Sequence, residues 1–221
     1  MAATFTVPCP RSWCDLRRWT VRLLVGFAVF LVLGNLAILG ASVVAQHFFD
    51  NARVAGVDGI DNLRPVDGKV WRGGHPSREG YRSLAAAGVT VVVDLRAEHD
   101  AAADDEFIER LGMDVVHLPI RDGQTRGDGE VDQFVHAVNN ADGPVFVHCG
   151  AGVGRAGTMS AAYLEATGQA GPIEALVRNL AVGPPSLEQI VFAGSGGQQP
   201  DVVITTLSRT LDGPRRLWHN L

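Results

Sequence analysis

The pattern of apolar and polar positions divides the chain into one long apolar block and a series of shorter, regularly patterned segments. From Leu23 to Phe49 no residue is charged, and the run is long enough to cross about 30 Å of hydrocarbon as a helix. It has no polar face, which argues against a buried core helix. Val43-Val44-Ala45 leaves a cleaved signal peptide as the competing reading, although the block exceeds the roughly 7–15 apolar residues of such peptides. Residues 50–67 carry glycine, proline and scattered charge without a period, the pattern of a linker packing onto the downstream domain.

Beyond the linker the pattern alternates between strand and helix periods. Lys69-Val70-Trp71-Arg72 predicts a short strand and Gly73-Gly74-His75-Pro76 a turn. Ser77 then caps a helix running through Tyr81 and Leu84 to about Ala87, with Gly88 as its stop. Val89 to Leu95 is a β-branched run of the kind buried in parallel sheets. A charged amphipathic helix over 101–111 turns Phe107, Ile108 and Leu111 inward, and a strand comes next at Asp114 to Leu118. Further helices are predicted over 130–140, 156–166 and 172–180, the second burying Met159, Ala162 and Tyr163. Ser186 caps a short helix through Gln189 to Phe192. The glycine- and glutamine-rich stretch 193–200 ends the compact part, and 202–211 forms a last amphipathic piece. The alternation predicts an α/β fold: a mostly parallel sheet of four or five strands with helices on both faces, preceded by one transmembrane helix. The corresponding division is a tail at 1–22, an anchor at 23–49, a linker at 50–67, a catalytic domain at 68–195 and a C-terminal extension at 196–221.

Charge adds direction. The first 49 residues hold four arginines against Asp15, a net +3, whereas the remainder has 15 basic and 23 acidic residues, a net −8. The acidic domain argues against nucleic acid as a partner. The arginines before the apolar block, with Asp50, Asp58 and Asp61 after it, place the N-terminus in the cytoplasm and the domain outside, in a single-pass membrane protein. Cys9 and Cys14 in the tail are too few for a metal site and read as plain thiols.

Candidate chemistry lies in Val145-Phe146-Val147-His148-Cys149-Gly150-Ala151-Gly152-Val153-Gly154-Arg155-Ala156-Gly157-Thr158. A buried strand stops at a cysteine, runs through a glycine-rich loop and enters a helix near an arginine six positions after the cysteine. Glycines at 150, 152 and 154 allow amide groups to turn inward as an anion nest, and the helix adds its positive end. Such a place favours thiolate, the nucleophilic form of Cys149. The planar fork of Arg155 suits two oxygens of a phosphate and can follow them into the trigonal geometry of phosphoryl transfer.

This stretch resembles the signature loop of the cysteine-dependent protein tyrosine and dual-specificity phosphatases, His-Cys, five residues, then Arg. WRGGHPSREGYRSLAAAGVTVVVDLR independently resembles the opening of bacterial and fungal atypical members. The resemblance implies a metal-independent phosphomonoesterase that needs no cofactor and acts on a phosphorylated protein or a small phosphomonoester through a cysteinyl-phosphate. Cys149 is then the nucleophile. The phosphoryl group rests on Arg155 and on the loop residues Gly150, Ala151, Gly152, Val153 and Gly154, with His148 bonding the loop backbone or tuning the thiolate. In the family the general acid is an aspartate ahead of the cysteine; Asp122, after Pro119, matches, and Asp128 is the alternative. An aspartate is largely ionised at neutrality, so an activity optimum on the acid side is expected. Arg96, Glu98 and His99 come after a strand at its carboxyl end, where open α/β sheets bind ligands; Arg96 is taken as a substrate contact. Gln189 stands where some members position the hydrolytic water, yet the pattern favours a solvated helix residue.

One position departs from the family. Ser or Thr usually follows the arginine and helps the thiolate leave, and here it is Ala156. That motivates a second reading, a membrane-tethered pseudophosphatase that binds phosphate groups without turnover. A third, a sulfur-transfer or arsenate-reducing enzyme, lacks the resolving cysteines that arsenate reduction needs. A phosphatase of inositol phosphates or phospholipids is also open, although no lysine lies between Cys149 and Arg155.

Overall fold

A computed structural model describes residues 11–48, 54–98, 100–126 and 129–219. Cys9, Asp50, His99 and Asp128 lie outside the described residues. The chain divides into two compact units, one ending at Ala37 and one beginning at Ile38. The described part of the first is helical, within α1 (Arg11–Phe48), and Leu23, Val25, Leu33 and Leu36 stand exposed along it. From Asp15 to Phe48, α1 is long and apolar enough to cross a membrane.

The second unit is built on a five-stranded sheet in the order β1-β2-β5-β3-β4. The strands are β1 (Arg64–Pro65), β2 (Val70–Gly73), β3 (Val91–Arg96), β4 (Asp114–Ile120) and β5 (Val145–His148). All neighbours are parallel except β1, which pairs antiparallel with β2. The sheet is therefore mostly parallel, as the pattern predicts. The edge strand β1 was not legible, because two residues inside an aperiodic linker carry no period. It forms because Val66 N–H donates to the Val70 carbonyl at 2.8 Å while Asp67 Oδ1 accepts from the Lys69 and Val70 amides, closing a tight turn.

Strand alternation sorts the core onto two faces. Val91, Val93, Leu95, Val145 and Val147 point to a cluster completed by Phe134 and Val138 of α4 (Glu130–Asn140) and by Met159, Tyr163 and Leu164 of α5 (Arg155–Ala166). Val92 and Phe146 point the other way, onto Tyr81 and Leu84 of α2 (Arg78–Ala86) and Ile108 of α3 (Asp105–Arg110). Val57 and Leu63 join this second cluster, so the linker is packed down. Ser77 accepts from the Gly80 amide as the expected N-cap. The amphipathic segment before β4 is split into a 3₁₀ turn, Ala101–Asp104, and α3.

Three helices come after α5 within the unit: α6 (Pro172–Leu180), α7 (Leu187–Ala193) and α8 (Val202–His219). The last one packs back: Ser208 is buried and its hydroxyl accepts from the Glu188 amide of α7 at 2.9 Å. The last turns of α1 belong to this unit too. Ser42 Oγ donates to the Leu180 carbonyl at 2.7 Å, and Ala45 packs with Leu180 and Ala181.

Tyr163 is nearly buried and its hydroxyl donates to Asp67 Oδ2 at 2.8 Å, joining α5 to the turn that makes β1. Tyr163→Phe is expected to lower stability by about 1–2 kcal/mol, read as a shift of the urea midpoint at unchanged slope. An unshifted midpoint would show that this bond does not hold the turn.

Candidate active site

β5 is the central strand, paired on one side with β2 and on the other with β3, and all four of its residues are buried. A chain leaving that strand must turn at the carboxyl edge of the sheet, where ligands of parallel sheets bind. It does so through residues 149–154 and enters α5 at Arg155. The turn is seated on its neighbours. Gly152 has φ of 76°, and a Cβ there would overlap the Gly73 carbonyl carbon and the Gly74 nitrogen at the end of β2. The His75 amide donates to the Gly150 carbonyl at 2.9 Å, and Asn62 Nδ2 to that of Ala151 at 2.9 Å. Cys149 is 2 % exposed, and its Sγ accepts from the Gly152 amide at 3.3 Å.

Arg155 is buried at the first turn of α5 and is held from three sides. Its Nη1 donates to Glu98 Oε2 at 3.0 Å and to the Ile120 carbonyl at 3.1 Å. Nε lies 3.3 Å from Asp122 Oδ1, an ion-pair approach outside hydrogen-bond alignment. A Cβ on Gly150 would sit 3.5 Å from Nη2, so this nitrogen lies against the loop. Burial alone would lower the guanidinium pKa; Glu98, the Cys149 thiolate and Asp122 outweigh it and push it above its ordinary value. Burial would likewise raise the Glu98 carboxyl, but Arg155 holds it below the usual carboxylate range.

His148, fully buried, stacks between Phe146 and His75 with ring centroids 5.7 and 5.6 Å away. Burial pushes its pKa down to about 4, with Asp94 only partly opposing, so the ring is neutral near pH 7. Its Nδ1 lies 3.4 Å from the Cys149 carbonyl oxygen, a long contact with the loop backbone. Arg96, expected as a substrate contact, is placed against Asp94. Its Nε and Nη2 grip both oxygens of Asp94 at 2.7–3.1 Å, and the side chain is buried at the end of β3. A guanidinium fork so committed braces the strand end under His148, while Glu98, two residues on, is the group that reaches Arg155.

Asp122 sits in the loop between β4 and α4, its side chain 74 % exposed beside Arg155. α7 grips this loop at three points. Ser186 Oγ donates to the Gly123 carbonyl at 2.9 Å, and Gln189 Nε2 donates to that of Gln124 at 3.3 Å. Glu188, fully buried, accepts from the amide and hydroxyl of Thr125 at 2.9 and 3.1 Å. Gln189 is 1 % exposed rather than solvated: it closes a capping box with Ser186 and lies where a Cβ on Gly154 would meet its Oε1 at 2.8 Å. Among the described residues no group of three or more His, Cys, Asp or Glu side chains is placed to hold a metal ion.

A thiol aimed at by an amide, an arginine edge over a glycine loop and an exposed carboxylate beside that edge suit attack on, and binding of, a phosphoryl group. Residues 46–190 match the model of a family described as dual-specificity and tyrosine phosphatase domains fused to NAD⁺ kinase (DSP-PTPase phosphatase fused to NAD+ Kinase). The chain belongs to this phosphatase family. It is 37 % identical over 76 residues to tyrosine-protein phosphatase cdc-14 of Caenorhabditis elegans, covering 34 % of this chain and 10 % of that protein. The chain thus spans about a tenth of the length of the curated relatives it matches. The solved structure of PTPMT1 in complex with PI(5)P superposes with a TM-score of 0.55 at 21 % identity, over 66 % of this chain and 99 % of that one. The core catalytic domain of the PP-IP phosphatase SIW14 from S. cerevisiae gives 0.54 at 16 % identity, over 72 % and 96 %. These two share the fold.

Glu130 adds a pH-dependent element directly after the same loop. At the start of α4 it is 4 % exposed; burial raises its carboxyl to about 7, with Arg126, 3.5 Å away, partly opposing. A carboxyl raised in the folded state favours folding only while protonated, so stability falls as pH climbs from about 4.5 to about 7. Glu130→Gln is therefore expected to melt several degrees above the wild type at alkaline pH and level with it below the lower value. A gap independent of pH in thermal melts would contradict this.

Proposed function

We propose that this protein is a metal-independent phosphatase of phosphomonoesters that works through a cysteinyl-phosphate. The Cys149 thiolate attacks phosphorus, the P–O bond to the leaving group breaks, and Asp122 delivers a proton to the departing oxygen. Arg155 and the amides of residues 150–154 hold the three other oxygens. Water then attacks the phosphorus, the S–P bond breaks to restore the thiolate, and the proton of the water passes to Asp122. The observation that carries this reading is the joint placement of Cys149 Sγ under the Gly152 amide and of Arg155 between the loop and Asp122. The phosphatase family membership supports it.

The substrate proposed is a phosphorylated protein, phosphotyrosine and also phosphoserine or phosphothreonine, or a small phosphomonoester. The two superposed structures, one a complex with PI(5)P and one of a PP-IP phosphatase, keep inositol-bearing phosphates as the alternative class. No lysine between Cys149 and Arg155 offers a polyanion extra charge. We also propose that α1 anchors the enzyme as a single span, with the four N-terminal arginines cytoplasmic and the catalytic unit outside. Protection of the catalytic unit from protease in inverted vesicles tests that orientation; protection of the N-terminal tail instead would reverse it.

The assignment of residues is tested with the full chain in detergent on p-nitrophenyl phosphate and an alkyl phosphate. Cys149→Ser should abolish release. Asp122→Asn should cost about 10²–10⁴-fold on the alkyl ester and much less on the activated aryl ester, and should remove the alkaline limb of an acid-side pH optimum. Equal losses on both esters would exclude Asp122 as the acid.

Ala156 supports a distinct second reading, binding without turnover. It is fully buried where the family places a hydroxyl, and the Thr158 hydroxyl, also buried, has no hydrogen-bond partner among the described residues. A missing bond to a charged sulfur slows the second step by roughly 10- to 100-fold. Ala156→Ser should raise steady-state release by about that factor while leaving the first turnover unchanged. A chain that binds phosphate, shows no first turnover and gains none on this substitution would be the pseudophosphatase.

A further inference from the structure

A cavity of about 270 Å³ lies between β1, β2, α5 and α6 and shares no lining residue with the loop 148–155. Arg64, Arg72 and Arg178 line it together with Asn179, and no carboxylate residue does. Arg178 pairs with Glu174 at 2.6 Å. The deep charge is Arg72, which is 4 % exposed, beside Asn179, which is 1 % exposed. Their one mutual bond is long, Arg72 Nη1 to Asn179 Oδ1 at 3.3 Å. Arg72 Nη2 and Asn179 Nδ2 then remain without any hydrogen-bond partner among the described residues. Both are donors that cannot accept. Burying a guanidinium with an unanswered N–H is costly unless an acceptor meets it.

The backbone is shaped around this pair. A Cβ on Gly157 would overlap both Asn179 Oδ1 and Arg72 Nη1, so only a bare helix surface lets the two side chains lie against α5. Burial lowers the Arg72 pKa to about 10, which still leaves a cation at neutrality. Two buried, unanswered donors, two further arginines in the lining and no acid among the lining residues suit an oxyanion, whose several lone pairs can answer more than one donor at once.

We propose that this cavity is a second anion site, separate from the Cys149 loop, that takes a phosphoryl group. Two sources offer that chemistry: free phosphate or a phosphate ester from solution, and the headgroup of an anionic phospholipid. The lipid source is close at hand, because Ala181 and Val182 form part of the wall and the end of α1 packs on Leu180 and Ala181 through Ser42 and Ala45. That source rests on α1 being a membrane anchor; the site itself does not, and it stands whether or not Cys149 is a nucleophile.

The test counts inorganic phosphate bound per full chain in detergent micelles by calorimetry. Two sites are expected in the wild type. Arg155→Met should leave one, and Asn179→Leu and Arg178→Gln should each weaken that remaining one by roughly 10-fold or more, with circular dichroism checking the fold. The wild-type stoichiometry is decisive without any variant. In nanodiscs of phosphatidylcholine, added phosphatidic acid that displaces the second phosphate assigns the site to a lipid headgroup; phosphate binding indifferent to phosphatidic acid assigns it to a soluble ligand. A single phosphate per chain with no response to phosphatidic acid, or a second phosphate unaffected by Asn179→Leu, would overturn the proposal.

Discussion

The arrangement depends on how the turn after β5 is seated on the end of β2. Gly152 takes a left-handed backbone conformation with no room for a side chain between it and Gly73-Gly74, and the His75 amide ties down Gly150. These contacts cross between adjacent parallel strands, so they exist only once β2 and β5 are in register. The same register fixes where α5 starts and hence where Arg155 emerges. Loop, thiol and guanidinium are thus positioned by one packing event rather than by three separate ones.

The exposed Asp122 is positioned more indirectly. Its loop leaves β4 and is gripped by Ser186, Glu188 and Gln189 at the head of α7, while the Glu188 amide is in turn received by Ser208 of α8. A path of hydrogen bonds from the C-terminal helix therefore ends on residues 123–125, the segment that directly follows Asp122. Glu98 completes the enclosure from β3, neutralising the buried guanidinium before any substrate arrives. In the proposed reaction a phosphoryl group in the loop meets Nη2 while Nη1 stays fixed, which keeps the arginine preorganised.

What the sequence made legible was local. The strand, glycine turn and helix around Cys149, the Ser77 cap, and the helices over 130–140 and 172–180 are set by neighbouring residues and a recognisable period. What it hid were partnerships between distant positions. Gln189 reads as a solvated helix residue because its burial comes from Gly154, 35 positions earlier. Arg96 stands at the expected edge of the sheet, but an acid two residues before it, Asp94, claims it; an Asp-x-Arg pair on a buried strand was the available signal. Glu98 was visible only as one of several charges after β3. Arg72 read as an ordinary strand residue, and only the packing of Asn179 and Gly157 around it reveals a buried cation.

A covalent bond between Cys149 and phosphorus is the step on which the proposed chemistry stands or falls. The most direct measurement is acid quenching of the full-length protein during the first turnovers of p-nitrophenyl phosphate, with mass spectrometry of the peptide that holds Cys149. The expected result is a phosphoryl group on that sulfur, formed within the burst and persisting into steady state because Ala156 offers the departing thiolate no hydroxyl. Phosphate release with no phosphorylated Cys149 at any quench time would contradict it.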